Sequence, residues 1–548
     1  MNPLPLFLLS TFISLTSQSS ELTLKVKSRY LNIPVSHQTE RHRLTFLSKG
    51  VDTLSVEARL APGSPDYWVF KDLSAYQGRS LRLVYDGPAE ALSRVFQADT
   101  IVGQSAMYHE PNRPQFHFTT RRGWINDPNG LVWYDGEYHL YYQHNPYERE
   151  WGNMHWGHAV SRDLLHWQEL GDVLYPDALG TMFSGSAVVD YDNTSGFAAK
   201  VKGQQGIQTP MVFAYTNDGA WETQCIAYSL DHGRTLHKYQ GDQPVIDSHQ
   251  QWQSHDTRDP RLLWYAPGSH WVMVLNERNG HSIYTSSNLR DWTYQSHVTG
   301  FWECPDLFEL PVDGNPSHTL WVMYGASGTY MLGHFDGRVF TPVAGKYRYA
   351  TGSIYAAQTI TGTPDGRRIQ IGWGRIAHPG MPFNGMMLLP TELTLRTTPD
   401  GPRLFSQPVR EVQSLLHSLF TAQSDLTEQQ ANEHLRSLPA QSGLHLQARL
   451  SLSYATSAGL RLNGQNIVDY DLNQNALNGQ FYSPLTPGSL DLDLDIYIDR
   501  TSVEVFVDGG RYSYSLERHL SDNHDGLQFW GRETTIRNLH VDTVSSIW

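Results

Sequence analysis

Cysteine is nearly absent: Cys225 and Cys304 are the only two in 548 residues, so no disulfide framework can staple this chain. Its stability must come from buried cores, and the length calls for two or three modules. Positive charge is also short, with 41 Lys+Arg against 55 Asp+Glu and a net charge of -14. That balance repels phosphate and argues against nucleic acid or an anionic membrane surface as a partner. Charged residues of both signs make up only 18% of the chain, which excludes a disordered polyelectrolyte and a coiled coil. No run reaches the ~18 apolar residues a membrane helix requires, so no membrane span is expected. Helical periodicity is rare. The clearest case is Pro408 to Glu433, read as a helical connector between two β modules with Thr427 as a candidate N-cap.

Aromatic residues, by contrast, are abundant, at 12% with 16 Trp and 29 Tyr. Their flat apolar faces with polar edges suit sugar rings as well as cores. Stretches such as Leu131 to Gln143, with an Asp-Gly turn inside, read as antiparallel hairpins. The fold class expected is all-β: a five-bladed β-propeller, a C-terminal β-sandwich and an additional small N-terminal β domain. Residues 1–19 read as a signal peptide, from the apolar stretch Leu4 to Leu15 and the small Ser17 and Ser19, although a basic start is missing. This points to a secreted, periplasmic or cell-surface protein. The N-terminal module is expected over 20–110, the propeller over 111–402, and the connector with the sandwich over 403–548.

The propeller rests on a loose repeat. Five segments pass from small or acidic residues into a short apolar strand, starting at Asn126, Ser184, Arg258, Glu303 and Gly352. If each is the inner strand of a blade, acids far apart in sequence converge at one mouth of the channel. A pair of β-sandwiches is the competing architecture. Alternating acids in LDLDLDIYID read as a solvated sheet face rather than a calcium site.

Three acids stand at such strand starts: Asp127 in WINDPNG, Asp259 in RDP and Glu303 in WECPDLFEL. Each alone is an ordinary turn residue. Together they match what glycosidic cleavage requires, one carboxyl to protonate the leaving oxygen and another to attack or to activate water. Trp124 and Trp302 beside them would lower local polarity, and Arg258 would hold Asp259 ionised.

These segments resemble glycoside hydrolase family 32, the invertases, exo-inulinases and levanases. WINDPNG, FSGS at Phe183 to Ser186, RDP and WECPDLFEL occur in the family's order, and EWGNMHWGHAVSRDLLHW is similar to family sequence. The resemblance covers roughly residues 111 to 400. It implies a retaining hydrolase that releases terminal β-D-fructose from levan, inulin, fructo-oligosaccharides or sucrose. Asp127 would be the nucleophile, Glu303 the acid/base and Asp259 the transition-state stabiliser. Asn126, Gln143, Trp151, Phe183, Ser184, Tyr355 and Trp373 would surround the terminal fructose, with Arg258 beside them. No cofactor and no metal are implied, and the oligomeric state is open. The chain departs from the pattern at ATGSIYA, where Ala350, Ser353 and Ile354 replace an acidic stretch.

His155, His158 and His255 could be read as metal ligands, but they fall in turns and alternating strands. Cys304 lacks a partner motif for nucleophilic catalysis and reads as a small residue packed under the acid. The alternatives in function are a fructosyltransferase acting on sucrose and a non-catalytic fructan-binding protein.

Overall fold

Strand follows strand through nearly all of the chain, as the alternation predicts. The computed structural model describes residues 19–200, 206–241, 243–247, 254–438, 443–452, 455–519 and 526–548. The apolar stretch read as a signal peptide lies outside the described residues. The chain divides into two units, one ending at Gln104 and the other comprising Ser105–Trp548.

In the first unit, Ser20–Lys25, Ser80–Tyr85, His42–Ser48 and Val51–Ala58 form one sheet in that order, and Tyr67–Asp72, Tyr30–Val35 and Phe96–Ala98 form a second. Period-two burial explains the pairing. Along Val51–Ala58, Leu54, Val56 and Ala58 are buried while the residues between them face water.

The second unit opens with a β-propeller. Five strands, each starting a group of antiparallel neighbours, are labelled β1 (Gly123–Tyr134), β2 (Thr181–Val189), β3 (Thr257–Tyr265), β4 (Asp306–Val312) and β5 (Ile354–Thr359). The hairpin after β1 turns at Asp135 and Gly136, with φ of 48° and 87°, the left-handed pair that a two-residue hairpin turn demands. Side chains stitch β2, β3, β4 and β5 together halfway along. Ser186 Oγ donates to Pro260 O at 2.8 Å, Gln358 Nε2 to Gly185 O at 3.0 Å, and Arg261 Nε lies 2.9 Å from Asp306 Oδ1 in a buried ion pair. Phe383–Asn384 returns to pair in parallel with Gly123 and Trp124 at the start of β1.

The segment expected as a helical connector differs. Arg410–Leu415 is a short 3-10 turn, and Leu416–Thr421 is a strand paired with Thr534–Val544. Only Glu428–Arg436, labelled α1, is helical, and Thr427 caps it: its Oγ1 accepts from Gln430 N while Gln430 Oε1 accepts from Thr427 N. Apolar residues at Leu415, Leu416, Leu419 and Phe420 fit both periods, and a neighbouring strand with an unfilled edge decided for the sheet.

Two packed sheets form the C-terminal β-sandwich around Leu446, Leu460, Ile496 and Val505. Asp491, Asp493 and Asp495 point outward from LDLDLDIYID while Leu492, Leu494 and Ile496 are buried, as period two predicts. The next acid, Asp499, is buried against the propeller. Its Oδ2 lies 2.7 Å from His117 Nδ1, and Glu504 Oε1 lies 2.6 Å from His117 Nε2. Two carboxylates hold the imidazole against the cost of burial, raising its pKa to about 9.

Candidate active site

The three acids meet at the start of β1, β3 and β4, where the backbone leaves regular pairing. Register shifts interrupt β1 between Ile125 and Pro128, and β3 between Arg258 and Arg261. Bulges of this kind re-aim a side chain. Asp259, Glu303 and Cys304 all have left-handed backbones, with φ of 65°, 52° and 44°. Non-glycine residues rarely adopt that region, and such strain gathers at functional sites.

Asp127 is held from two sides. Ser184 Oγ donates to its Oδ2 at 2.7 Å, and Asn126 Nδ2 donates to Oδ1 at 3.1 Å. Trp124 Nε1 in turn donates to Asn126 Oδ1 at 2.8 Å and fixes that amide. Asp259 Oδ2 accepts from Cys304 N at 2.9 Å, and Asp259 N donates to Thr216 Oγ1 at 3.0 Å. Cys304 joins the two acids: its Sγ is 3.6 Å from Asp127 Oδ2 and 3.5 Å from Asp259 Oδ2.

Glu303 is gripped differently. Its Oε1 accepts from Arg258 Nη2 at 2.7 Å and Nε at 3.2 Å, and its Oε2 accepts from Tyr355 OH at 2.5 Å. Arg258 does not bond the adjacent Asp259, as the sequence had led us to expect. The bulge and the left-handed backbone at Asp259 part the two side chains, and the guanidinium turns to Glu303, to Glu222 at 2.9 Å and to Asp256 at 3.1 Å. Trp302 does not shield Glu303 by burial. It is 44% exposed, with Arg258 lying 5.2 Å from its ring centroid.

Burial pushes the Asp127 carboxyl up, its hydrogen bonds to Ser184 and Asn126 oppose this, and the nearby Glu303 adds to it. Asp259 is pushed up to about 7, first by burial; Arg258 opposes, and Asp127 and Glu303 add to the rise. Burial and the same acids push the Cys304 thiol well up. A thiol kept protonated is a donor here and a poor nucleophile, so Cys304 does more than fill space under the acid. Burial and Glu303 likewise push the Tyr355 phenol up, keeping its proton on the bond to Glu303.

Aromatic rings wall the site. Trp373 meets Trp124 edge to face at 5.8 Å and Tyr355 at 6.3 Å, while Trp151, 53% exposed, meets Phe183 at 6.0 Å. The structure thus joins Asn126, Asp127, Ser184, Arg258, Asp259, Glu303, Tyr355 and Trp373 through direct contacts. Gln143 stands one strand back, its Nε2 donating to Met182 O at 2.9 Å. The ATGSIYA stretch divides its work: Ala350–Gly352 pairs in parallel with Tyr512–Glu517 of the sandwich, and Tyr355 reaches Glu303.

Sequence reasoning missed Glu222, Thr216 and Asn276, the last accepting from Glu303 N at 2.8 Å. None stands in a motif; only tertiary packing brings them in. The three histidines weighed as ligands serve in packing. His158 stacks on Tyr141 at 4.1 Å, His255 on Trp221 at 4.1 Å, and His155 Nδ1 pairs with Asn153 O.

A β-propeller with three carboxylates gathered at one channel mouth, followed by a β-sandwich, defines a carbohydrate-cleaving enzyme. Residues 117–408 match the family model for the glycosyl hydrolases family 32 N-terminal domain, and 411–543 match the model for the family 32 C terminal. A levanase from Bacillus subtilis is 37% identical over 513 residues, covering 83% of this chain and 74% of that protein. An extracellular exo-inulinase from Aspergillus niger is 31% identical over 545 residues, covering 83% of this chain and 100% of its own. The crystal structure of exo-inulinase from Aspergillus awamori superposes with a TM-score of 0.69 at 29% identity, covering 80% of this chain and all of the other. The chain belongs to glycosyl hydrolases family 32 and is a glycosidase.

Proposed function

We propose that this protein is a retaining β-fructosidase that releases terminal β-D-fructose from levan or inulin, fructo-oligosaccharides and sucrose. The observation that carries the reading is the division of labour among the acids. Asp127 is tethered by neutral donors and aimed at the mouth, whereas Glu303 is held by a cation and a phenol.

In the first step an Asp127 oxygen forms a bond to the anomeric C2 of fructose as the bond from C2 to the departing oxygen breaks. Glu303 gives its proton to that oxygen. In the second step Glu303 takes a proton from water, whose oxygen attacks C2, the bond to Asp127 breaks, and fructose leaves with its configuration retained. Charge cycling supports the roles. Esterified Asp127 carries no charge, so the anionic form of Glu303 then faces one fewer negative neighbour while Arg258 pairs with it. Asp259 accepts from fructosyl hydroxyls, and the Trp and Phe walls take the C–H faces of the ring. Loss of the acidic stretch at ATGSIYA and the β modules on either side of the propeller favour polymers over sucrose. Secretion is supported by the apolar N-terminal stretch and by relatives described as extracellular.

A product time course on levan, inulin and sucrose tests the reading. Free fructose from the first time points is expected. Kestose-type oligomers dominating at high sucrose would replace hydrolysis by fructosyl transfer, and a ladder of oligosaccharides would replace exo by endo cleavage.

A further inference from the structure

The strands that bring the acids to one mouth run on to a second cavity at the other. From Asp127 to Trp133 along β1 is six residues, and from Asp259 to Trp264 along β3 is five, roughly 15–20 Å at strand spacing. A cavity of about 260 Å³ opens there, walled by Trp133, Trp264, Trp271 and Tyr191 with Asp192 and Thr361 among its polar lining. It does not extend the catalytic pocket. The stitched layer stands between them, with Gln358 bridging Leu131 N at 3.2 Å and Gly185 O at 3.0 Å, and the Arg261–Asp306 pair beside it.

Its aromatic wall is built and braced. Trp271 Nε1 donates to Thr194 Oγ1 at 2.8 Å, and Thr194 Oγ1 donates to Asp190 Oδ1 at 3.0 Å. Asp190 also accepts from Thr194 N at 2.9 Å, Ser195 N at 2.8 Å and Ser195 Oγ at 2.6 Å, so it shapes the loop that carries Tyr191. Trp264 leans on the anchored Trp271 edge to face at 4.9 Å and still leaves 39% of its surface open; Tyr191 leaves 67% open. An open indole backed by a fixed one is pre-organised to receive a flat apolar face without losing side-chain freedom. The acids at the rim and the net charge of -14 exclude an anionic occupant. The volume lies just below the range for drug-sized ligands and suits one or two small rings.

We propose that this rear cavity is a second carbohydrate site that holds fructosyl units of the polymer whose end is cut at the opposite mouth. The identity of the sugar rests on the β-fructosidase reading. A chain bound at both mouths is held near the acids between cuts, which acts on KM for polymer and leaves short substrates untouched.

The test uses the full chain with Tyr191→Ala and Trp264→Ala. Tyr191 is exposed enough that its loss carries little folding cost and keeps the test valid if Trp264→Ala misfolds. Retention in gels containing levan or inulin, measured with Asp127→Asn as the background to stop turnover, is expected to weaken at least about fivefold in each variant. With Asp127 intact, KM on the retained polymer rises while kcat, and all kinetics on sucrose, stay unchanged. Equal retention of variant and parent, or an equal loss on sucrose and polymer, overturns the proposal. Should the parent release no fructose from any of the three substrates, the β-fructosidase reading falls. The rear site then stands only if levan or inulin is retained through Tyr191 and Trp264, and it falls if neither polymer is retained.

Discussion

His117 is a buried cation that ties the propeller to the sandwich, and its removal gives a pH-resolved test of the joint. In the fold its two nitrogens face Asp499 and Glu504 at 2.7 and 2.6 Å, and its pKa rises from 6.5 to about 9. Because the folded value lies above the unfolded one, the resulting stabilisation is fully present below pH 6.5 and is lost as pH rises through 9. A rise of this size corresponds to about 3 kcal/mol of stability at pH 6. His117→Gln keeps much of the volume and removes the charge. Urea titrations followed by tryptophan fluorescence at pH 6 and pH 9.5 give the difference between parent and variant at each pH. The difference is expected to be several kcal/mol at pH 6 and smaller by about 3 kcal/mol at pH 9.5. Taking the variant against the parent cancels other raised histidines, such as His144 and His445, which contribute a slope of the same sign to both proteins. A difference that does not change with pH would refute a charged His117 and leave it a neutral packing residue.

At the acids, Asp127→Asn or Glu303→Gln is expected to cut kcat by several orders of magnitude with the circular dichroism spectrum unchanged; near-normal turnover in either removes its assigned role. Added azide should restore turnover in Glu303→Ala as fructosyl azide, and fail to do so in Asp127→Asn. Tyr355→Phe deletes the donor to Glu303 at 2.5 Å and is expected to lower kcat by about 10–100-fold, measured on sucrose. Asp259→Asn should inactivate the enzyme and yet raise Tm. A buried carboxyl lifted from 3.8 to about 7 withdraws stability between those pH values, so calorimetry should show the gain at pH 8 and little at pH 4. Gly185→Ala would place a Cβ 1.9 Å from Ala214 O beside Ser184, and both Tm and kcat should fall.

Much of the site was legible because its chemistry is concentrated in short segments. WINDPNG carries both Asp127 and the Asn126 that binds it, and WECPDLFEL carries Glu303 with the Cys304 that reaches the other two acids. The helix cap at Thr427 was readable for the same reason, since a capping box lies within four residues. Arg258 was read as the cation that favours ionised Asp259, and its charge does oppose the rise of that acid, but its hydrogen bonds go elsewhere. Its chain neighbour Asp259 is close in sequence, but the strand turns it towards Glu303, 45 residues on. Glu222 was invisible, because a carboxylate that neutralises an arginine from another strand leaves no local pattern.

The sequence by itself determined most of the strands and the chemical inventory. Period-two alternation and Asp-Gly turns are properties of adjacent residues, and they made strands, as in β1 and its hairpin. Tertiary structure decided everything that depends on which strand lies beside which. It drew Leu416–Thr421 into the sandwich against Thr534–Val544, and set Asp499 and Glu504 around His117. It also set the charge states of the acids. An aspartate in water ionises near 4; burial among two other carboxylates and one arginine moves Asp259 to about 7, and those neighbours are assembled only when the propeller closes.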